Sequence, residues 1–287
     1  MGKVFSISNQ KGGVGKTTTA VNIATFCALN GVKTLMIDSD PQGNSTSGIG
    51  VDRNNLKSTT YEIIVNNENP KDAIIASTIE NLYIIPANPT LAAAEIELIG
   101  VSEREFILKK AIQPIKNDFD FIIIDCPPSL GLLTINALTA SEQLIIPLQC
   151  EYYALEGLGQ LLNTFKLVKE NLNSGIEIGG VVLTMADFRT NLTQQVIEEV
   201  RSYFGDKTFK TIVPRSVKVS EAPSFGKPII LYDPSSKGAK AYKDVGAEFL
   251  EKFYSKIGES SQVATPNQSP ETHFSEQVDQ TTHTAEV

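Results

Sequence analysis

The chain is poor in histidine, and its two histidines, His273 and His283, both lie in the C-terminal segment. The rest of the sequence therefore offers no histidine for a catalytic triad or for a His-ligated zinc site. Cysteine is also scarce, since Cys27, Cys126 and Cys150 are the only three. They are an odd number without metal-ligand spacing, which argues against a disulfide framework and favours a reducing compartment.

Long apolar runs are missing as well. No segment approaches the roughly 20 apolar residues that span a bilayer. The sequence also enters an apolar stretch at Val4 without the features of a signal peptide. We therefore expect a cytoplasmic protein that has no membrane partner.

The formal net charge of −8 is unevenly distributed. The segment from Met185 to Lys256 carries twelve basic and nine acidic residues, whereas the segment from Gly258 to Val287 carries five acidic residues and no lysine or arginine. The acidic total argues against attraction of the whole surface to nucleic acid. It leaves room for a basic face on the C-terminal third of the chain.

Apolar runs alternate with segments of helical spacing along most of the 287 residues. The predicted strands are Val4–Ser8, Thr34–Ile37, Leu82–Pro86, Phe121–Asp125, Leu144–Pro147, Gly180–Thr184 and Lys210–Val213. The predicted helices are Thr17–Leu29, Glu103–Ile115, Leu130–Ala140, Leu155–Asn171, Leu192–Phe204 and Ala239–Phe253. This rhythm predicts an α/β fold, a doubly wound and mostly parallel twisted sheet with helices on both faces. We expect one domain over residues 1–257 and a disordered acidic and polar tail over residues 258–287.

A glycine-rich loop follows the first predicted strand and reads Lys11-Gly12-Gly13-Val14-Gly15-Lys16-Thr17-Thr18. Glycines let backbone N–H groups approach phosphate oxygens, a following lysine reaches the terminal phosphates, and a Thr hydroxyl can ligate Mg²⁺. The usual pattern has a glycine five positions before Gly15, where this chain has Gln10. The extra Lys11 does not fit that cradle and suggests a charge directed elsewhere, such as to phosphates held by a neighbouring subunit.

Two further motifs place carboxylates at strand ends. The first is Asp38-Ser-Asp40-Pro-Gln-Gly-Asn, and the second is Phe121-Ile-Ile-Ile-Asp125-Cys-Pro-Pro. Either can be an ordinary strand exit, because Asp, Pro, Gly and Asn are common in turns. Beside a phosphate loop, such carboxylates can instead organise Mg²⁺ or orient the water that attacks a γ-phosphate.

Together these three motifs resemble the ParA/MinD family of deviant Walker ATPases. The segments Thr184-Met-Ala-Asp-Phe-Arg-Thr-Asn and Val213-Pro-Arg-Ser-Val-Lys-Val-Ser-Glu-Ala-Pro further resemble its chromosomal ParA (Soj-like) branch. The resemblance covers about Lys3 to Phe253. It implies an ATPase that uses ATP and Mg²⁺ and forms a homodimer with the nucleotides sandwiched between the two subunits.

The resemblance also implies roles for individual residues. Lys11 would reach the partner's nucleotide, Gly12 would have to be small where two backbones meet, and Lys16 would bind phosphate. Asp40 would position the hydrolytic water. The implied Mg²⁺ group is Thr17, Asp38 and Asp125, and the implied adenine contacts are Met185 and Pro214. Non-specific double-stranded DNA would meet Arg189 and Lys218, with Lys237 and Lys240 as further candidates, and a ParB-like partner would stimulate hydrolysis at the nucleoid.

Other functions remain open from the sequence. Basic side chains such as those of Arg189 and Lys218 can simply solvate a surface. A MinD-like membrane-cycling ATPase would need a basic amphipathic helix at the C-terminus, where this chain is acidic. A reductase like the nitrogenase iron protein would need two cysteines per subunit for a cluster, and a small-molecule kinase would need an arginine-bearing lid. We see neither feature in the sequence.

Overall fold

Seven strands form one sheet in the computed structural model, which describes residues 2–151 and 154–254 and leaves out the side chains of residues 154–157. The strands are β1 (Lys3–Ile7), β2 (Thr34–Asp38), β3 (Ile75–Ala76), β4 (Leu82–Ile85), β5 (Phe121–Asp125), β6 (Gln143–Gln149) and β7 (Glu177–Thr184). Their order across the sheet is β3-β4-β2-β5-β1-β6-β7. All neighbours are parallel except β3, which pairs antiparallel with β4 at one edge.

The same described residues contain twelve α-helices. They are α1 (Lys16–Leu29), α2 (Asn44–Gly48), α3 (Thr60–Val65), α4 (Pro70–Ala73), α5 (Ala94–Glu97), α6 (Ile107–Ile112), α7 (Leu132–Ala140), α8 (Ala154–Asn171), α9 (Asn191–Phe204), α10 (Val217–Glu221), α11 (Ile229–Tyr232) and α12 (Lys237–Phe253). Across the described ranges, no helix is long and apolar enough to cross a membrane.

Successive residues of the central strands point to opposite faces of the sheet, and each face has its own apolar core. On one face, Phe5 and Ile123 belong to a cluster that includes the buried residues of α1 and α12. On the other face, Val4 and Ile124 belong to a cluster with residues of α6 and α7, and a further cluster there joins β6 and β7 to α8 and α9. Helices therefore cover both faces, and the predicted doubly wound α/β fold is confirmed.

The strand predicted at Lys210–Val213 is wrong. The backbone N–H groups of Lys210 and Thr211 donate to the carboxylate of Glu248 in α12, at 2.7 Å each, so they cannot join a ladder beside β7. Isolated bridges between Val181 and Thr208 and between Ala186 and Pro214 connect this region to the sheet end.

Smaller differences concern helix bounds and one edge strand. The predicted helix Glu103–Ile115 is shorter, because Arg104–Phe106 forms a 3₁₀ turn and the α-helix spans Ile107–Ile112. The two-residue strand β3 was not predicted, since a pair of residues carries no periodicity. The predicted tail at 258–287 and the domain end at residue 257 lie outside the described residues.

Candidate functional site

Three adjacent strands in the middle of the sheet end side by side and carry the three sequence motifs. Asp38 at the end of β2 pairs in register with Asp125 at the end of β5, and Asp125 pairs with Ile7 at the end of β1. The glycine-rich loop leaves β1 directly after Ile7. From β1 the strand order continues to β5, β2 and β4 on one side and to β6 and β7 on the other. This position is therefore a topological switch point, where ligands bind in open α/β folds.

The glycine-rich loop has the backbone conformation that its glycines permit. Gly13 and Gly15 have φ values of 74° and 87°, in the left-handed region that favours glycine. In the part of the chain that the structure describes, no atom beyond the adjacent residues lies within 4 Å of a β-carbon built on Gly12 or Gly13, so the space in front of the loop is open to a ligand. The loop is tied to the sheet by the buried Thr184 hydroxyl, which donates to the Val14 carbonyl at 2.8 Å.

Lys16 begins α1 immediately after this loop and is buried. Its ammonium group donates to the carbonyl oxygen of Lys11 at 3.0 Å, so the side chain folds back over the loop. Burial lowers the pKa of Lys16, and the nearby carboxylates of Asp125 and Asp40 partly oppose that shift. A buried cation beside an open cradle of backbone N–H groups is suited to an anionic ligand.

The two strand-end carboxylates, Asp38 and Asp125, differ in how many of their oxygens accept hydrogen bonds. Both oxygens of Asp38 accept hydrogen bonds, one from the Asp40 N–H at 3.2 Å and the other from the N–H and hydroxyl of Thr46 at 2.9 and 2.7 Å. Asp125 accepts from the Ser45 hydroxyl through Oδ2 at 2.9 Å, but its Oδ1 is buried and has no hydrogen-bond partner among the described residues. Asp125 therefore keeps an unused acceptor at the site, whereas Asp38 holds the loop after β2 in place.

Burial raises the pKa of both carboxyl groups, and the charge of Asp38 raises that of Asp125 further. The neighbouring hydroxyl groups of Thr17 and Ser45 act in the opposite direction on Asp125. A cation would relieve this repulsion, because two adjacent buried carboxylates are costly unless a positive charge compensates them. The unused oxygen of Asp125 and the hydroxyl of Thr17 fit Mg²⁺, which takes oxygen ligands and keeps few protein contacts.

Two cavities lie along the loop. The first has a volume of about 290 Å³ and is lined by Gly12, Gly13, Gly15, Lys16, Thr17, Thr18, Asp40, Gln42, Asn44, Pro128 and Met185. The second, of about 120 Å³, is lined by Gly15, Thr18, Thr184, Met185, Val213, Pro214, Arg215, Ser216, Val219, Ser220 and Tyr242. They share Gly15, Thr18 and Met185. The first cavity thus faces the phosphate loop, and the adjoining one includes apolar side chains, among them Val213, Pro214 and Val219, on which a flat base could pack.

Lys11 extends from the start of the loop and contacts its own subunit. Its ammonium group lies 3.4 Å from the carboxylate of Glu151, which also accepts from Arg215 at 3.2 Å and from Gln149 at 2.5 Å. The side chains of Lys11 and Glu151 are both partly exposed, so this ion pair is weak and can exchange for another partner.

Sequence reasoning missed several residues at this site. Glu151 follows β6 without a motif, and no pattern in the sequence could connect it with Lys11. Arg215, Gln42 and Asn44, by contrast, stand inside the segments that carried the family resemblance, so a signal for them was available.

The four predicted DNA-contacting residues are exposed, but two of them form ion pairs with neighbouring carboxylates. The guanidinium group of Arg189 forms two hydrogen bonds with Asp187, at 2.8 and 2.6 Å, and Lys218 pairs with Glu221 at 2.9 Å. Lys237 and Lys240, on the first turn of α12, form no ion pair within residues 2–151 and 154–254.

The positions of these four residues follow from the packing of their elements. Val219 in α10 lies against Gly238 in α12, so Lys218 and the two lysines of α12 lie on adjoining helices. Arg189 lies in a separate loop after β7, where its hydrogen bonds to Asp187, and to a smaller extent the nearby charge of Arg215, lower the pKa of Asp187.

Comparison with known proteins assigns this architecture to a family. Residues 2–178 match the sequence model of a family described as AAA domain. The chain is 58% identical over 248 residues to the sporulation initiation inhibitor protein Soj of Bacillus subtilis, which covers 86% of this chain and 98% of that protein. It is 51% identical over 252 residues to the chromosome partitioning protein ParA of Myxococcus xanthus, which covers 88% of this chain and 89% of that protein.

Among solved structures, the chain is similar to cobyrinic acid a,c-diamide synthase from Mycobacterium smegmatis with a bound ATP analogue and magnesium. The TM-score is 0.78 and the identity 35%, over 89% of this chain and 97% of that one. The strand order, the loop with its additional lysine and the extensive similarity to ParA and Soj all indicate the same family. The chain therefore belongs to the ParA/Soj family of deviant Walker ATPases.

Proposed function

We propose that the protein is an Mg²⁺-dependent ATPase of DNA partitioning, which dimerises on ATP, binds DNA without sequence preference and leaves it after hydrolysis. The observation that supports this most is the pair of joined cavities. Glycines of the loop, the buried Lys16 and Asp40 line the larger one, while the smaller one adds Val213, Pro214 and Val219 as apolar contacts. Both the phosphate and the base of a nucleotide would thus be accommodated.

In this proposal the residues have separate tasks. The loop from Gly12 to Gly15 binds phosphate oxygens through its N–H groups, and Lys16 moves from the Lys11 carbonyl to the terminal phosphates. Thr17 and Asp125 would hold Mg²⁺, which when bound neutralises charge on the phosphates, and Asp38, also predicted for this ion, would support it through its negative charge. Asp38 holds the Asp40 backbone through its carboxylate.

Asp40 is the residue that we assign to the hydrolytic water. It is buried, and its Oδ1 accepts from the Gln42 N–H at 2.9 Å, which orients the carboxylate. It lines the phosphate cavity together with Gln42. A carboxylate fixed in this way can orient a water molecule toward the γ-phosphate.

Dimerisation would use Lys11. The partly exposed pair with Glu151 is a resting position, and the triphosphate bound by a second copy is a stronger anion for the same ammonium group. Each nucleotide would then be contacted by the lysines of two subunits, and ATP would favour association.

DNA association would follow from that dimer. A single chain exposes few unpaired cations in the region of Lys218, Lys237 and Lys240, whereas a dimer presents twice as many on one particle. Such contacts with phosphates give binding that is independent of sequence and sensitive to salt. We further propose that the protein is cytoplasmic and nucleoid-associated and that a ParB-like centromere-binding partner stimulates its ATPase.

The DNA part of this proposal is tested by salt dependence. The Asp40→Ala variant with ATP and Mg²⁺ should bind non-specific duplex DNA, and ADP should abolish binding. Because each subunit contributes one contact, Lys237→Ala in that background should reduce the slope of log affinity against log salt by about 1.8 per dimer.

Lys110→Ala is the matched control, because Lys110 lies in α6 on the opposite face of the sheet from α12 and its loss changes the net charge equally. A slope that is the same in both variants would count against Lys237 as a DNA contact. Retention of DNA without nucleotide would count against the ATP-gated scheme as a whole.

A further inference from the structure

Glu95, the second residue of α5, has a carboxylate with an unused acceptor. Its Oε1 is buried and has no hydrogen-bond partner among the described residues. Its surroundings are largely apolar, since α5 packs through Ala94 and Leu98 into a cluster that includes Leu133 of α7. An unpaired acceptor in such a place costs free energy, so its retention calls for a physical reason.

The carboxylate of Glu95 lies against Gly131, directly before α7. A β-carbon built on Gly131 would lie 2.9 Å from the carboxyl carbon of Glu95 and 3.2 Å from Oε2, and closer still to Oε1. The φ of Gly131 is −79°, which any residue adopts. Glycine is therefore needed here for the close approach of Glu95 and not for the backbone conformation.

Complementary groups remain unpaired at this contact. Among the described residues, no side-chain hydrogen bond caps the start of α7 at Leu132. The first N–H groups of a helix need an acceptor, and the positive end of the helix dipole attracts a carboxylate. Glu95 brings such an acceptor beside α7, yet its Oε1 accepts no hydrogen bond from the described residues. A small displacement of the loop before α7 would pair the two.

The loop before α7 reaches the phosphate cavity. It leaves the end of β5, and Pro128 lines the cavity that also contains Lys16. The Thr134 hydroxyl donates to the Ser129 carbonyl at 2.6 Å, so the loop is attached to the first turn of α7. A phosphate that displaces Pro128 would therefore also move the start of α7 relative to Glu95.

We infer that Glu95 is a positioning residue for the phosphate-facing loop. When a terminal phosphate fills the cavity, its carboxylate accepts the N–H groups at the start of α7 and holds Pro128 against that phosphate. This inference rests on the proposed function and deepens it, because it names the group through which the site responds to a triphosphate and not to a diphosphate. Glu95 acts through the start of α7 and contacts neither the nucleotide nor the attacking water.

The test measures the affinity of the full chain, with Mg²⁺, for a non-hydrolysable ATP analogue and for ADP by calorimetry. Glu95→Gln keeps the shape of the acceptor and removes its charge, so it should weaken the ATP analogue about fivefold and ADP by less than about twofold. Glu97→Gln is the matched control, because Glu97 lies two residues along α5 and is exposed, where it accepts from the Tyr61 hydroxyl at 2.9 Å. It should leave both affinities within about twofold.

A double-mutant cycle tests the contact itself. Gly131→Ala places a methyl group where the Glu95 carboxylate lies, so it should also weaken the ATP analogue about fivefold. In a Glu95→Ala background this clash is absent, and Gly131→Ala should weaken the ATP analogue no further.

The outcomes separate this inference from the proposed function. Selective loss of the ATP analogue in Glu95→Gln, with Glu97→Gln unchanged, supports the role of Glu95. Equal loss of both nucleotides, loss of neither, the same loss in Glu97→Gln, or additive effects in the cycle overturns it while the ATPase proposal stands. If the unmodified chain does not bind the ATP analogue, the proposed function fails and the inference fails with it.

Discussion

Lys16 and Lys11 are separated by four residues and have opposite surroundings. Lys16 is buried, has a lowered pKa and donates to the loop backbone, whereas Lys11 is partly exposed and shares a carboxylate with Arg215. Among the described residues, Lys16 has no ion-pair partner within 4 Å, and burying such a lysine is costly, so its retention beside the cavity suits an anionic ligand. Substitution of Lys16 and substitution of Lys11 should therefore have different effects on ATP binding and dimerisation.

Lys16→Ala should abolish ATP binding and ATP-dependent dimerisation together, because it removes the buried cation of the phosphate cavity. Lys11→Ala should keep most of the affinity of a single chain for ATP and lose only the dimer. Nucleotide affinity measured by fluorescence titration, together with particle mass, distinguishes the two variants. Unchanged ATP affinity in the Lys16 variant would mean that the loop has been wrongly assigned.

Thr46 is the residue on which the position of Asp38 depends. Its hydroxyl donates to the buried Asp38 carboxylate at 2.7 Å and accepts from the Ala87 N–H at 3.0 Å. Thr46→Val keeps the shape and leaves both buried groups short of a partner. We expect a loss of about 2–3 kcal/mol in the free energy of unfolding.

Urea denaturation measures this loss. Thr164→Val is the control, because the Thr164 hydroxyl only contacts the carbonyl of Gln160 within the partly exposed helix α8, and its effect should stay within about 0.5 kcal/mol. Equal stability of the two variants would show that the Thr46 hydroxyl does not support Asp38.

At the scale of elements, α1 and α12 pack closely on the face of the sheet that carries Phe5. Gly246 in α12 makes this approach possible, because a β-carbon there would lie 2.4 Å from the ring of Phe26 in α1. The phosphate loop precedes α1, and the lysines proposed to bind DNA begin α12. This helix pair therefore connects the two parts of the proposed function.

Gly246→Ala should destabilise the protein by about 1–3 kcal/mol, because Phe26 has to move out of its packed position. Gly159→Ala is the matched control in the exposed face of α8, where a β-carbon would meet no atom of the described residues within 4 Å. There the better helix propensity of alanine should stabilise the chain by about 1 kcal/mol. Thermal denaturation measures whether each variant is more or less stable than the unmodified chain. A Gly246→Ala variant that is more stable would contradict the packing described.

The sequence predicted elements well wherever an apolar run was long and continuous. Phe121–Asp125 was predicted with its observed bounds, because four buried apolar residues end in a carboxylate. Lys210–Val213 failed, because the donors of Lys210 and Thr211 are taken by Glu248, which is 38 and 37 residues away in the chain. Apolar content alone does not show where a distant side chain will take the backbone hydrogen bonds.

At the scale of the whole molecule, the topology explains why a site assembled from distant segments could be predicted. Parallel strands in this order bring the ends of β1, β2 and β5 together, so three short motifs were sufficient to place the loop beside Asp38 and Asp125. The Glu151 partner of Lys11 could not be predicted. It depends on where β6 ends relative to the loop, and that is a property of the folded chain.

The whole-molecule account depends on a nucleotide held between two copies, and particle mass measures this directly. The 31.2 kDa chain carrying Asp40→Ala should double its mass in light scattering when ATP and Mg²⁺ are added, and should stay single with ADP. Adding Lys11→Ala should return the ATP-loaded protein to the mass of one chain. If the Asp40→Ala protein remains at 31.2 kDa with saturating ATP at every protein concentration measured, ATP does not join two copies and the proposed dimer is contradicted.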